Sequence, residues 1–114
     1  FDTSASALTW WIGLMATHAE AMSELRQEVD AAYADAIDLA AIARLPFLNA
    51  TIKEAMRIYP PSTALFTRVA KRDLTIADMP VRKGTLVVAP IWQMHRNARY
   101  FADPTVFRPQ RFLP

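Results

Sequence analysis

At 114 residues the chain amounts to one small domain, long enough to bury something over ~60% of its unfolded surface. Its composition is 53% hydrophobic, but twenty of those residues are Ala, so large core-filling side chains are scarcer than the percentage implies. A formal net charge of +2 with dispersed Lys and Arg is too little to argue for a nucleic-acid surface, the absence of Cys excludes disulfides and thiolate metal sites within these residues, and two Gly leave no phosphate-cradling loop.

The first periodic segment runs from Phe1 to about Thr17. Ala5, Leu8, Ile12 and Met15 recur at spacings of three or four, which predicts an amphipathic helix whose apolar face Trp10 and Trp11 widen. Its most apolar run, Ala7 to Ala16, is too short for the ~20 residues a membrane-spanning helix needs. A boundary falls near His18. Beyond it Met22, Leu25 and Val29 predict a second helix with one buried stripe, and Glu20, Glu24, Arg26, Gln27, Glu28 and Asp30 occupy the other face. Ala31 to Arg44, rich in Ala and Asp, predicts a loop or a short, poorly anchored helix.

Leu45 to Pro61, LPFLNATIKEAMRIYPP, is the helix around which the rest is organised. Leu45, Leu48, Ile52, Met56 and Tyr59 share one face at helical spacing. Pro46 suits the first turn, where its missing N–H is not needed, and Pro60-Pro61 cannot continue the ladder. After the double proline, Ala64 to Ala70, Leu74 to Ile76 and Leu86 to Ala89 are β-compatible, with Met79 to Gly84 as the turn between them. Ile91 to Arg96 predicts a helical turn, and Asn97 to Pro114 an irregular stretch. The expected class is mainly α with a few short β-strands.

Few residues are placed for chemistry. His18 and His95 have no carboxylate at ligand spacing, which favours structural roles over a metal site. No Ser has a nucleophile-elbow context. Asp2-Thr3 reads either as helix capping or as an acid and a hydroxyl able to relay a proton. Glu54 and Arg57, three apart, form by themselves an ordinary surface ion pair. Arg111 adds weight to them, because a guanidinium in an irregular loop can grip a buried carboxylate, and Glu54 is the obvious acceptor.

These residues, in this order, resemble the haem-thiolate monooxygenases, the cytochrome P-450 enzymes, over essentially the whole chain. Glu54-Ala55-Met56-Arg57 is similar to the family's Glu-x-x-Arg on its K helix. Pro109-Gln110-Arg111-Phe112 is similar to its Pro-Glu-Arg-Phe element, with Asp103-Pro104 and Phe107 at the expected offsets. Phe1-Asp2-Thr3 matches the end of the Ala-Gly-x-Asp-Thr segment of the long I helix.

The resemblance implies that Glu54, Arg57 and Arg111 form a buried structural cluster locking the K helix to the meander loop. It implies that Asp2 and Thr3 are the catalytic proton-delivery pair for dioxygen cleavage. Arg68 would pair with a haem propionate, the alternative being a strand-edge charge. Ser62, Thr63, Ala64, Leu65 and Phe66 would line the substrate pocket. His95-Arg96-Asn97 resembles the element before the meander and implies no catalytic role.

For the parent protein, the resemblance further implies haem b as cofactor, dioxygen as co-substrate, electrons ultimately from NAD(P)H through a ferredoxin or reductase, a small apolar substrate, and no nucleic acid. It implies a cytoplasmic protein if bacterial, and one anchored in a membrane through a preceding segment if eukaryotic. Three positions depart from the family pattern: Gln110 for Glu, Ala19 for the Pro that opens the J helix, and Phe101 for Trp. The Cys loop that ligates haem iron is not among these residues, and there is no initiator Met. The expectation is an internal segment, residues 1–114, of one catalytic domain, inactive by itself and without a metal ligand of its own. The alternative is a helical interaction module derived from the family that has lost its chemistry. The coding frame beyond Pro114 discriminates the two, through a Cys in a glycine-containing loop or a stop codon.

Overall fold

A computed structural model describes residues 1–33, 39–64 and 67–114. The elements follow in the order α1 (Asp2–Thr17), α2 (Ala19–Ala32), α3 (Leu39–Ile42), α4 (Pro46–Ile58), β1 (Arg68–Val69), β2 (Leu74–Ile76), β3 (Met79–Val81), β4 (Leu86–Val87) and α5 (Ile91–His95), with a 3-10 turn at Pro109–Phe112. The chain is mainly helical with short strands.

His18 separates α1 from α2 by leaving the helical region, at φ −120° and ψ 81°. Its imidazole stays on α1: Nδ1 lies 2.7 Å from the Leu14 carbonyl, which can only accept, so this nitrogen carries the proton. The ring also packs against Phe107, at 4.8 Å between centroids. The bend therefore needs no proline at Ala19. It is fixed by a histidine that terminates one helix and contacts the C-terminal loop.

α4 begins as its sequence predicts, with Pro46 in the first turn, but its free N–H groups are satisfied from elsewhere. Glu28 of α2 accepts from Phe47 N–H at 2.7 Å through Oε1 and from Leu48 N–H at 2.9 Å through Oε2. A carboxylate on two orphan donors at the positive end of a helix contributes about 1–2 kcal/mol. Glu28 belongs to the face expected to be solvated, and the structure corrects that: it is half-buried and joins α2 to α4. At the other end, the Tyr59 N–H donates to the Ala55 carbonyl at 2.8 Å before the double proline.

The core is assembled from Met15 of α1, Ala21 and Leu25 of α2, Phe47, Ala55 and Ile58 of α4, and Phe107 of the C-terminal loop. Two predicted stripes are displaced from this core. In α1 only Met15 of the expected Ala5-Leu8-Ile12-Met15 series is buried, and Trp11 and Leu14 supply the rest of the contact. In α4 the inward face is Phe47, Ala50, Thr51, Glu54, Ala55 and Ile58, while Met56 of the expected stripe is 39% exposed. The helix has turned a partly polar face inward because its polar members find partners there.

Two small antiparallel pairs complete the chain. β1 pairs with β4, Arg68 opposite Val87 and Val69 opposite Leu86. β2 pairs with β3, Leu74 opposite Val81 and Ile76 opposite Met79. Met79–Val81 is thus a strand, not part of the turn expected over 79–84. The turn is Ala77-Asp78, both left-handed at φ 46° and 66°, as a two-residue hairpin of the primed type requires. The hairpin lies outside the core, with residues 71–80 all exposed. The part of the 31–44 segment expected as loop or short helix that falls on 34–38 lies outside the described residues; α2 extends to Ala32 and α3 covers 39–42.

Candidate functional site: a buried carboxylate between two guanidinium groups

The inward face of α4 carries two charges into the interior. Glu54 has no exposed surface and Arg57 is 2% exposed. The helical spacing places them side by side, and they meet as a two-pronged pair: Arg57 Nε donates to Oε2 at 2.7 Å and Nη2 to Oε1 at 2.8 Å. Burial overturns the surface ion-pair alternative. A charged pair removed from water at this depth is stable only if its remaining hydrogen-bonding capacity is used.

Nearly all of it is used. Arg57 has five N–H groups. The three not engaged with Glu54 are directed at backbone carbonyls: Nη1 donates to His95 O at 2.8 Å and to Pro104 O at 2.6 Å, and Nη2 to Val106 O at 3.3 Å. Glu54 has four lone-pair directions. Besides the two bonds from Arg57, Oε1 accepts from Arg111 Nε at 3.0 Å and from the Arg108 backbone N–H at 2.9 Å. Arg111, 12% exposed, uses its outer nitrogens on the Ala102 carbonyl at 3.0 Å and on Asp103 and Val106 carbonyls at 3.4 Å. One carboxylate and two guanidinium groups thereby replace the backbone ladder that the irregular stretch 97–108 does not have.

Several partners in this arrangement were not legible as such. His95 and Arg57 are reciprocal, since the His95 carbonyl accepts from Arg57 while His95 Nδ1 lies 3.1 Å from the Arg57 carbonyl. Phe101 places its ring 5.0 Å from the Arg57 guanidinium carbon, a cation–π contact that a smaller ring than Trp still makes. Asp103 adopts φ 46°, which turns the loop so that the Pro104 and Val106 carbonyls face Arg57. The one available signal was the run Asp103-Pro104, a residue type that tolerates the left-handed region followed by one that fixes φ. Gln110 donates to Glu24 Oε2 at 3.2 Å, where a Glu would face another carboxylate.

The remaining candidates lie apart from the cluster. Asp2 and Thr3 are exposed on the first turn of α1. Arg68 is exposed on β1. Ser62 and Thr63 are exposed and Ala64 half-buried; Ser62 Oγ donates to the Ala64 carbonyl at 2.7 Å, and Thr63 and Ala64 border a shallow concavity with Val88, Pro90, Trp92 and Gln93. Leu65 and Phe66 lie outside the described residues. No group of three His, Asp or Glu that could hold a metal occurs among the described residues, and no helix among them is long and apolar enough to cross a membrane.

A charge cluster carried by Glu-x-x-Arg and a distant Arg thus fastens α4 to an irregular C-terminal loop. The family model described as Cytochrome P450 matches residues 1–114, and the chain belongs to that family. It is 35% identical to cytochrome P450 4V2 of Mus musculus over 99% of this chain and 22% of that protein. It is 37% identical to protopine 6-monooxygenase of Eschscholzia californica over 98% of this chain and 22% of that protein. A solved zebrafish cytochrome P450 with progesterone superposes with a TM-score of 0.90 at 31% identity, covering 97% of this chain and 27% of that one. The chain thus spans about a fifth of the length of these curated relatives.

Haem is the group the family implies. These residues suit its surroundings, not its iron: an exposed Arg on β1 and an exposed acid–hydroxyl pair on α1 are present, while no thiolate donor exists among the 114 residues.

Proposed function

We propose that the protein carrying this segment is a haem-thiolate monooxygenase that inserts one atom of dioxygen into an apolar organic substrate, and that residues 1–114 are one part of its catalytic domain. The observation that carries this is the buried Glu54–Arg57–Arg111 cluster, together with membership of the family. Bound haem, ligated by a Cys outside these residues, would supply the chemistry of dioxygen activation. The residues here would do the rest of the work around it. Arg68 would pair with a propionate. Asp2 would exchange protons with solvent, and the Thr3 hydroxyl, both donor and acceptor, would hold and pass them to the reacting oxygen. Ser62 to Phe66 would border the substrate. Reducing equivalents would come from NAD(P)H through a ferredoxin or reductase.

Neither the relatives' names nor this geometry identifies one substrate; protopine is acted on by one relative and progesterone is bound in one neighbour. The proposal is tested by turnover of the full-length protein under labelled dioxygen with an apolar substrate it consumes. One labelled oxygen atom per product molecule, the other in water, is expected. Product oxygen derived from solvent would overturn the reading. The 114 residues alone are expected to be inactive in the same assay, because they contain no thiolate.

A further inference from the structure

Two residues outside every site described above make a contact whose chemistry is out of proportion to a packing role. Thr51 of α4 is completely buried, and its hydroxyl donates to the Leu48 carbonyl at 2.7 Å one turn back. The same oxygen accepts from the Trp11 indole Nε1–H of α1 at 3.0 Å. Donor and acceptor capacity are matched: the hydroxyl's one proton is used on Leu48, leaving its lone pairs for the indole. Without this contact the half-buried indole N–H would lie unpaired against a fully buried hydroxyl.

The rest of the α1–α4 contact is of another kind. Met15, Leu14 and the face of Trp11 pack on the core, and Trp10 stacks flat on Tyr59 at 4.0 Å with an interplanar angle of 11°. Apolar burial and stacking have no single required register; they tolerate sliding. A buried hydrogen bond does not, because moving either partner leaves a desolvated polar group unpaired. Upstream of these contacts the first four residues of α1 are exposed, and Asp2 and Thr3 are carried on that end. Thr3 is eight residues from Trp11, about 12 Å at 1.5 Å per residue, so a one-residue slip would displace it by about 1.5 Å and rotate it by about 100°.

We propose that Trp11 and Thr51 are positioning residues, which set the register of α1 on α4 and so the place at which Asp2 and Thr3 are presented. This rests on the monooxygenase reading only for what Asp2 and Thr3 do; the register itself is a property of the two helices. Misplacement of a reacting group by about 1 Å can cost on the order of 100-fold in rate. A partial slip is expected to lower the fraction of consumed NAD(P)H recovered as product about tenfold.

The test uses the full-length protein and the variants Thr51→Val, Thr51→Ser and Trp11→Phe. Two quantities are read: hydrogen exchange of the Trp11 indole N–H by NMR, and the yield of product per NAD(P)H. In wild type and Thr51→Ser the indole proton is expected to exchange slowly and coupling to be high. In Thr51→Val exchange accelerates and coupling falls; in Trp11→Phe coupling falls equally, and the Thr51→Val/Trp11→Phe pair is no worse than either alone. Faster indole exchange with unchanged coupling would overturn the proposal, as would Thr51→Ser behaving like Thr51→Val, which would make the site one of volume. If Thr51→Val does not fold, Trp11→Phe and Thr51→Ser decide it. A wild-type protein without monooxygenase turnover would sink the functional reading instead, and the indole exchange of Thr51→Val against Thr51→Ser would still decide the register.

Discussion

Glu54→Gln is expected to destabilise the full-length protein by about 3–5 kcal/mol, a large fraction of the ~5–15 kcal/mol that ordinary domains have, as read by urea unfolding. The substitution is isosteric, so no cavity contributes. Glu54 accepts four N–H donors, three on Oε1 and one on Oε2, and three of the four come from guanidinium groups. An amide nitrogen cannot accept. Placed toward Arg57 Nε, on the side with the single bond, it would set donor against donor, and Arg57 would keep its charge at 2% exposure with no anion beside it. A loss under 1 kcal/mol would show that solvent reaches the pair and that the cluster is a surface feature.

The second large effect concerns Arg57→Lys, which conserves charge and is expected to cost about 3 kcal/mol or more by the same measurement. Arg57 uses all five of its N–H groups, two on Glu54 and three on carbonyls of His95, Pro104 and Val106. An ammonium has three donors on one atom and cannot span both the carboxylate and the loop. The loop should suffer first: backbone amides near Val106 and Arg108 are expected to lose exchange protection before those of α4. Replacing two of the three charges, as Glu54→Leu/Arg57→Met, removes the fully buried cation and should be less damaging than its desolvation alone suggests, although Arg111 then loses its carboxylate. It should not restore wild-type stability, because Arg111 loses its anion and the His95 and Pro104 carbonyls and the Arg108 N–H lose these partners. Equal stability of Arg57→Lys and wild type would contradict the role given to those carbonyls.

What the sequence displays and what it conceals divide along a physical line. Pro46 and Pro60-Pro61 act on the backbone directly, and α4 begins and ends where they place it. The Leu25 stripe of α2 was visible because its outer face is charged. The inward face of α4 was not, since a search for apolar periodicity ranks Met56 above Thr51 and Glu54, and only partners 40 to 57 residues away reverse that order. The Leu8 and Ile12 positions of α1 misled for the opposite reason: they are apolar and at helical spacing, yet exposed. The hairpin turn was displaced because Ala77-Asp78 contains no Gly to announce its two left-handed residues. Family motifs brought Glu54, Arg57 and Arg111 together before any geometry was available, but they did not indicate that His95, Pro104, Val106 and Arg108 complete the cluster. Nor did they point to Trp11 and Thr51, which belong to no motif.

The cluster matters to function through what it holds. By fastening α4 to the loop at 102–111, it would fix the approach to the segment that, in the proposed parent protein, presents the thiolate to iron. The carbon-monoxide difference spectrum of the reduced full-length protein tests that account most directly. The account predicts the red-shifted Soret band of a thiolate-ligated haem in wild type, its loss in Glu54→Gln, and no such band from residues 1–114 alone. A wild-type protein with no thiolate band, or a Glu54→Gln protein that keeps it at full intensity, would contradict it.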